Sequence, residues 1–189
     1  MIIRATLPIN TVPDPNQPDP KSGLGDANIF DIFLLTRQGA MLQFGAGPLL
    51  VARTATSSVL GTGKWQAGGA AVVVFLPDPN FLLASLITYS HSFAGDDDRP
   101  TQSVFSPQYL LNVQIGGGFY VRSTPTWTFD FVSGNYVIPF GAGIGKVSKI
   151  AGVVVNSYIE PQYSILHHGV GQPAIQIASG LNFQFPSGQ

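Results

Sequence analysis

Residues Phe119–Phe131 read FYVRSTPTWTFDF, and the two faces of this segment have opposite chemistry. Side chains of a β-strand alternate between its faces. One set is mostly apolar or aromatic: Phe119, Val121, Ser123, Pro125, Trp127, Phe129 and Phe131. The other set holds both charges of the segment: Tyr120, Arg122, Thr124, Thr126, Thr128 and Asp130. The alternation predicts a strand that is longer than the usual strand of globular proteins, which has about 5–6 residues.

The same alternation recurs along the chain and predicts ten strands. Most of them are close to the roughly 9–11 residues that a tilted strand needs to cross a bilayer. The predicted strands are Met1–Ile9, Ala27–Thr36, Ala40–Ala52, Lys64–Leu76, Phe81–Phe93, Val104–Ile115, Phe119–Phe131, Tyr136–Val147, Val153–Ile165 and Ala174–Phe185.

The connections between these strands alternate in length. Short turns are predicted at Arg37–Gly39, Pro77–Asn80, Gly116–Gly118 and Ser148–Gly152. Longer loops are predicted at Asn10–Asp26, Arg53–Gly63, Ala94–Ser103 and His167–Pro173, with Val132–Asn135 as a short exception. This alternation places the turns at one end of a barrel and the loops at the other, which is the layout of an outer-membrane β-barrel.

The composition favours one all-β domain with an unusual surface. A chain of 189 residues fits a single barrel, and 22 glycines with 15 prolines favour strands and turns over helices. Only 10% of the residues are charged, against roughly 25% in ordinary soluble domains. The net charge of −1 gives no basic footprint for nucleic acid, and the absence of cysteine excludes disulfides and thiolate chemistry.

Two features of the chain bear on a membrane location. No apolar run reaches the roughly 18 residues of a membrane helix, since the best, Ala70–Pro77, is far shorter. The N-terminal residues MIIRATLPIN also lack the basic and apolar regions of a signal peptide. Taken alone, both observations are typical of a soluble protein, but the strand pattern points the other way.

The polar face decides between a soluble and a membrane barrel. A soluble barrel shows water its polar face, whereas a membrane barrel turns that face to the lumen. Here the polar face is mostly Gln, Asn, Thr and Ser with few Lys or Glu, and the apolar face often ends in aromatics, which favours the membrane. The predicted lumen-lining residues are Arg4, Asp31, Gln108, Asn112, Arg122, Thr126, Asp130, Asn156, Glu160, Gln162, Gln176 and Asn182.

The charges on this face have two interpretations. Charges in a confined lumen must pair or stay hydrated, so they could be structural pairs across the barrel. Charged side chains also form the constrictions that set selectivity in pores. The two roles are compatible.

No motif indicates catalysis, a metal or a cofactor. The stretch GAGIGKV (Gly141–Val147) lacks the first glycine and the final hydroxyl residue of a phosphate-binding loop. The acidic run Asp96–Asp98 lacks EF-hand spacing, and no Ser/His/Asp set has the context of a hydrolase site. We therefore expect a protein that is not an enzyme, with no cofactor and no metal. The glycines of such stretches are expected to ease strand curvature or to make room in the lumen.

Several segments resemble one bacterial outer-membrane family. They are GLGDAN (Gly23–Asn28), VLGTGKW (Val59–Trp65), SFAGDDDRP (Ser92–Pro100), GGFYVRSTP (Gly117–Pro125), VIPFGAGIGKV (Val137–Val147) and NFQFP (Asn182–Pro186). The family is named for the meta-pathway of phenol degradation, and some members carry the label neuromedin U precursor. The resemblance covers nearly the whole chain in order, and SFAGDDDRP is its most specific part.

This resemblance implies an antiparallel up-and-down transmembrane β-barrel of about twelve strands in the bacterial outer membrane. It implies a channel for small hydrophobic or aromatic compounds, without catalytic residues. Family members begin with a signal peptide and further strands, so residues 1–189 are expected to be a single barrel domain that lacks those parts.

The expected partners are outer-membrane lipid and a small-molecule permeant, and no nucleic acid. Two alternatives remain open: a soluble or periplasmic up-and-down barrel that binds an apolar ligand, and a plugged barrel with a structural role only.

Overall fold

The computed structural model of the chain describes residues 1–12, 19–37, 39–150, 152–169 and 172–184. These residues form fourteen strands: β1 Ile2–Thr6, β2 Ile9–Val12, β3 Lys21–Leu24, β4 Ala27–Leu34, β5 Leu42–Ala52, β6 Lys64–Asp78, β7 Phe81–Gly95, β8 Ser103–Gly116, β9 Phe119–Ser123, β10 Thr128–Asp130, β11 Tyr136–Gly141, β12 Gly143–Ile150, β13 Val153–His168 and β14 Ile175–Gln184. Every pairing is antiparallel. The predicted all-β, antiparallel fold is confirmed.

The main sheet is an up-and-down meander. β1, β4, β5, β6, β7 and β8 lie side by side in this order. β9 and β10 both pair with β8, so together they occupy the next place in this row of strands. β11 and β12 both pair with β13 and occupy the place after it, and β13 and β14 complete the sheet. Counted by places, the meander has the ten strands that the sequence predicts.

Two predicted strands are each divided in two. Segment Phe119–Phe131 forms β9 and β10 because Pro125 lies beside β8 near Pro107, and neither proline has an N–H for the ladder. Pairing still continues across the gap, since the amides of Tyr109 and Trp127 donate to the carbonyls of Pro125 and Pro107 at 3.2 and 2.9 Å. The predicted strand Tyr136–Val147 is likewise interrupted at Ala142. These interruptions give the sheet a hydrogen-bonded ring through β8, β9, β12, β13, β11 and β10.

The sheet is strongly curled and barrel-like. Side chains of β1 and β8, which are five places apart, line the same cavity. Side chains of β9 and β13 form hydrogen bonds across β12. We call the face on which these contacts lie the concave face and the opposite one the convex face. Among the described residues, β1 pairs only with β4 and β14 only with β13.

The short and long connections separate to opposite ends of the sheet, as predicted. The links from β4 to β5, β6 to β7, β8 to β9 and β12 to β13 are short and lie at one end. In the link from β8 to β9, Gly116, Gly117 and Gly118 have φ angles of 94°, 60° and 77°. Only glycine adopts such left-handed angles without strain, which explains the glycine run.

A small hairpin lies within the first long loop, and the sequence interpretation missed it. β2 and β3 pair from Ile9 with Leu24 to Val12 with Lys21. The hairpin contacts the next long loop, where the Leu24 amide donates to Thr56 Oγ1 at 3.1 Å. Four-residue strands carry too short an alternation to stand out from a loop.

Burial is inverted relative to an ordinary soluble domain. Polar side chains are buried, including Glu160 at 0% exposure and Gln66 at 4%. Large apolar side chains are exposed on the convex face, including Ile175 at 69% and Phe140 at 64%. Within the described ranges, no helix is long and apolar enough to span a membrane.

Candidate functional site

The concave face holds eleven of the twelve residues that the sequence predicts for a lumen. Directly opposed residues of antiparallel strands share a face, so the register decides the placement. The eleven are Arg4, Gln108, Asn112, Arg122, Thr126, Asp130, Asn156, Glu160, Gln162, Gln176 and Asn182. They follow the sheet from its first strand to its last.

Asp31 is the one predicted lumen residue that does not lie on the concave face; it lies on the convex face. It pairs with Ile3, while its neighbour Phe30 pairs with Arg4 and is 6% exposed. The error has a simple origin, because β4 is apolar on both faces and the alternation there gives no direction. One carboxylate oxygen of Asp31 is buried with no hydrogen-bond partner among the described residues.

The most organised part of the concave face is a cluster around Glu160 in β13. Oε2 of Glu160 accepts hydrogen bonds from Arg122 Nε at 2.9 Å and from Thr124 Oγ1 at 2.7 Å. Oε1 accepts from the Thr124 amide at 2.7 Å and from Gln162 Nε2 at 2.8 Å. Four donors therefore satisfy a carboxylate with no exposed surface, which a buried charge requires.

Two tyrosines, which both pair with Gly145 on neighbouring strands, complete this cluster next to Arg122. The guanidinium carbon of Arg122 lies 3.6 Å from the ring centroid of Tyr158, a cation–π contact. The hydroxyl of Tyr120 donates to Asn156 Oδ1 at 2.7 Å. The sequence interpretation did not select either tyrosine or Thr124, although all three share the face of the predicted polar residues.

Glycines opposite this cluster make room for it. Gly141, Gly143 and Gly145 all point to the concave face in β11 and β12. A Cβ on Gly145 would overlap the ring of Tyr120, and a Cβ on Gly180 would meet the ring of Tyr158. The stretch that superficially resembles a phosphate-binding loop is thus a packing surface for large concave side chains.

The opposite wall of the concave face is apolar. Phe30, Ile32, Leu49 and Ala70 form a buried cluster, against which Val72 and Leu86 pack. This cluster was not predicted, because the sequence interpretation assigned a polar character to the whole face. The wall of β4 to β7 therefore differs in chemistry from that of β9 to β13.

A cavity of about 280 Å³ extends between the apolar wall and the middle of the sheet. Its lining residues are Arg4, Thr6, Asn28, Phe30, Leu49, Val51, Leu86, Thr88, Ser90, Ser106, Gln108 and Thr126. Arg4 is the one charged residue in this set, and the others are neutral polar or apolar.

Asp130 lies away from the Glu160 cluster, at the long-loop end of β10. Its carboxylate accepts hydrogen bonds from the Val132 amide at 3.0 Å and from Ser133 Oγ at 2.6 Å. Asp130 therefore stabilises the turn that follows its own strand, in the manner of an Asx-turn.

The long loops are bound to each other at their end of the sheet. Arg99 donates to the carbonyls of Ser58 and Gly61, the latter at 2.8 Å. Arg53 forms an ion pair with Asp96. Within the part of the chain that the structure describes, no group of three or more His, Cys, Asp or Glu side chains could hold a metal ion.

Aromatic side chains form a patch on the convex face close to the long loops. Tyr89, Phe105, Phe129, Tyr136 and His168 are successive partners across β7, β8, β10, β11 and β13. Ring centroids are 6.1 Å apart for Phe105 and Phe129, and 6.4 Å for Phe129 and Tyr136. These separations fall within the range of favourable aromatic pairs.

A comparison of the chain with protein-family models, curated proteins and solved structures gave no match. The family resemblance of the quoted segments therefore stays a prediction.

Proposed function

We propose that the protein is an outer-membrane β-barrel that acts as a passive or selective channel for small compounds. The inverted burial carries this proposal. A carboxylate and amides are enclosed on the concave face, while isoleucine, leucine and phenylalanine side chains cover the convex face. Water is a poor solvent for such a convex face and lipid is a good one, since transmembrane barrels alternate apolar outward and polar inward residues.

The extent of the apolar face fits a bilayer. Phe105 and Ile115 are both convex residues of β8, ten positions apart. At about 3.4 Å per residue they span about 34 Å along the strand. For a barrel strand tilted by about 40°, this corresponds to a height of about 26 Å, close to the roughly 25 Å apolar band of outer-membrane barrels.

The aromatic patch supports the same orientation. Tyr and Phe rings at the membrane–water boundary form girdles in transmembrane barrels. Here Phe129, Tyr136 and His168 lie at or near strand ends that adjoin the long loops. Lys146 follows a related pattern at the other end, since its ammonium lies 4.5 Å from the ring centroid of Phe119. Its stem can cover apolar surface while the charge reaches water.

The proposed mechanism is diffusion along the concave face without covalent chemistry. The Arg122–Glu160 pair is neutral overall and fixed by hydrogen bonds, so it narrows the lumen without adding a net charge. The long loops, bound together by Arg99, filter what reaches the lumen. The resemblance of the quoted segments favours small hydrophobic or aromatic permeants.

The packed concave face favours a second candidate, a plugged barrel with a structural role. Tyr120 is 2% exposed against Gly145, and the apolar cluster fills the opposite wall. Barrels of about eight strands are just filled by their side chains, so ten places leave little spare room.

Two measurements test these proposals. Size-exclusion chromatography with and without detergent tests the membrane location, and a monodisperse protein without detergent would contradict it. Conductance of the refolded protein in planar bilayers separates the channel from the plug. We expect discrete current steps, and their persistent absence with correctly folded protein would favour the plugged barrel.

A further inference from the structure

The concave cavity beside Arg4 combines one positive charge with an apolar floor. Neither of the two ion pairs among the described residues includes Arg4. Among the described residues, no aspartate or glutamate lines the cavity either. Arg4, an exposed residue of β1, therefore lines this space without an ion pair to any described carboxylate, whereas Arg122 is neutralised by Glu160 at 2.9 Å.

The rest of the lining has two kinds of surface. Phe30, Leu49 and Leu86 belong to the apolar cluster or pack on it, and they form an apolar patch in the cavity. Hydroxyl and amide side chains from β1, β7, β8 and the segment after β9 supply further hydrogen-bonding groups: Thr6, Thr88, Ser106, Gln108 and Thr126. Pockets of this composition bind molecules that have an apolar body and a few polar atoms.

From this combination we propose that the cavity binds small organic anions that carry one carboxylate and a short apolar body. The carboxylate pairs with the Arg4 guanidinium, whose planar donors match its two oxygens. The body lies on Leu49 and Leu86. The volume of about 280 Å³ lies just below the usual range of ligand pockets, which limits the ligand to a small molecule.

This inference rests on the proposed channel function, since it makes the cavity a recognition site on the path of the permeant. The charge of the site gives it a defined selectivity. A neutral analogue loses the ion pair, and an amine analogue meets a like charge, so both bind more weakly than the carboxylate.

The test is equilibrium binding of hexanoate, hexanol and hexylamine to the detergent-solubilised protein by isothermal titration calorimetry, with protein-free micelles as blanks. Low ionic strength is needed because salt screens the ion pair. We expect hexanoate to bind about ten- to hundredfold more tightly than hexanol. This factor in affinity corresponds to the free energy of one charge-assisted hydrogen bond. We expect no measurable binding of hexylamine.

Variants separate the site from the overall charge of the protein. Arg4→Gln should weaken hexanoate binding by a similar factor and leave hexanol binding unchanged. Arg37→Gln removes the same charge from the exposed connection between β4 and β5 and should have no effect. Val51→Phe keeps Arg4 but fills the cavity, so it should weaken the binding of both hexanoate and hexanol.

Equal affinity of the unmodified protein for hexanoate and hexanol overturns the inference, and this comparison needs no variant. Unchanged hexanoate affinity in Arg4→Gln also overturns it. Because binding is measured without ion flow, the result is independent of conductance. If binding depends on Arg4 but no channel current is found, only the channel proposal is contradicted, and the binding site stands.

Discussion

At the residue scale, the Glu160 cluster shows how a charge is kept at a fully buried position of the concave face. Glu160 has no exposed surface, and the side chain of Arg122 is 15% exposed. A buried ion pair is costly to form but more costly to break, since the remaining partner then lies unpaired at low dielectric. Each oxygen of Glu160 has two donors, so the cluster tolerates little change.

Replacement of Glu160 by glutamine should destabilise the fold strongly. The amide keeps the shape of the side chain but leaves the Arg122 guanidinium unpaired, at a cost of about 3–5 kcal/mol in the free energy of unfolding. Urea titration of the protein in lipid vesicles measures this value. The double variant Glu160→Gln, Arg122→Met should regain most of the loss, and a double variant as unstable as the single one would contradict the ion-pair explanation.

The packing of Tyr120 on Gly145 gives a second prediction. Gly145→Ala places a methyl group against the Tyr120 ring and should lower the free energy of unfolding by about 1–3 kcal/mol through overpacking. Gly69→Ala is the matched control on the convex face, where the nearest atom to a new Cβ is 3.7 Å away. We expect Tyr120→Leu to rescue Gly145→Ala, and equal stability of the two alanine variants would refute the packing role.

At the element scale, each strand of the meander separates two environments with period two. β14 is the simplest case, because Ile177 is 67% exposed while its neighbour Gln176 pairs with the concave Gln162. The two residues are adjacent in β14 and lie at nearly the same height, but their side chains point to opposite faces. They therefore form a matched pair for testing which face meets lipid.

Arginine substitutions at these two positions should have unequal effects. In a bilayer, Ile177→Arg exposes a charge to lipid at a cost of about 2–4 kcal/mol near the midplane, while Gln176→Arg points to the concave face and costs less. Folding yield and urea stability in vesicles measure both. The reverse order, with Gln176→Arg the more harmful, would indicate a soluble barrel.

How far the sequence predicts this fold depends on whether the controlling interaction is local. Alternation and turn residues are local, and they predict the ten places of the meander. The division at Pro125 was missed because it depends on Pro107 in the neighbouring strand, which only the register brings near. The face of Asp31 was wrong for a similar reason, since only pairing with Ile3 reveals it. The cluster around Glu160 was predicted as a set of residues but not as a bonded network.

At the scale of the whole molecule, the height of the apolar face determines which bilayer thickness would suit the proposed transmembrane orientation. In this proposed orientation, the strands β6, β7, β8 and β13, which have 14 to 16 residues, would extend past the apolar band of about 26 Å into the aqueous phases. A thinner bilayer would leave part of the apolar face in water, and a thicker one would bring polar surface into contact with lipid.

Folding into synthetic vesicles should therefore depend on acyl-chain length. We expect the highest stability in bilayers with a hydrocarbon core of about 25 Å and a gradual loss in thicker ones. Urea titration across a series of saturated phosphatidylcholines measures the trend. Stability that is independent of thickness would contradict a transmembrane orientation.

The two tryptophans of the chain give this orientation an optical signature. Trp65 is the second residue of β6 and is 38% exposed. Trp127 lies on the convex face in edge contact with Tyr109, with 4.8 Å between the ring centroids. Trp65 lies at the long-loop end of β6, and Trp127 lies just before β10, opposite Pro107 in the long-loop half of β8. Intrinsic fluorescence therefore arises from the long-loop half of the sheet. Quenchers attached at graded depths along the acyl chains would measure the depth of these two tryptophans in the bilayer, without any added label on the protein.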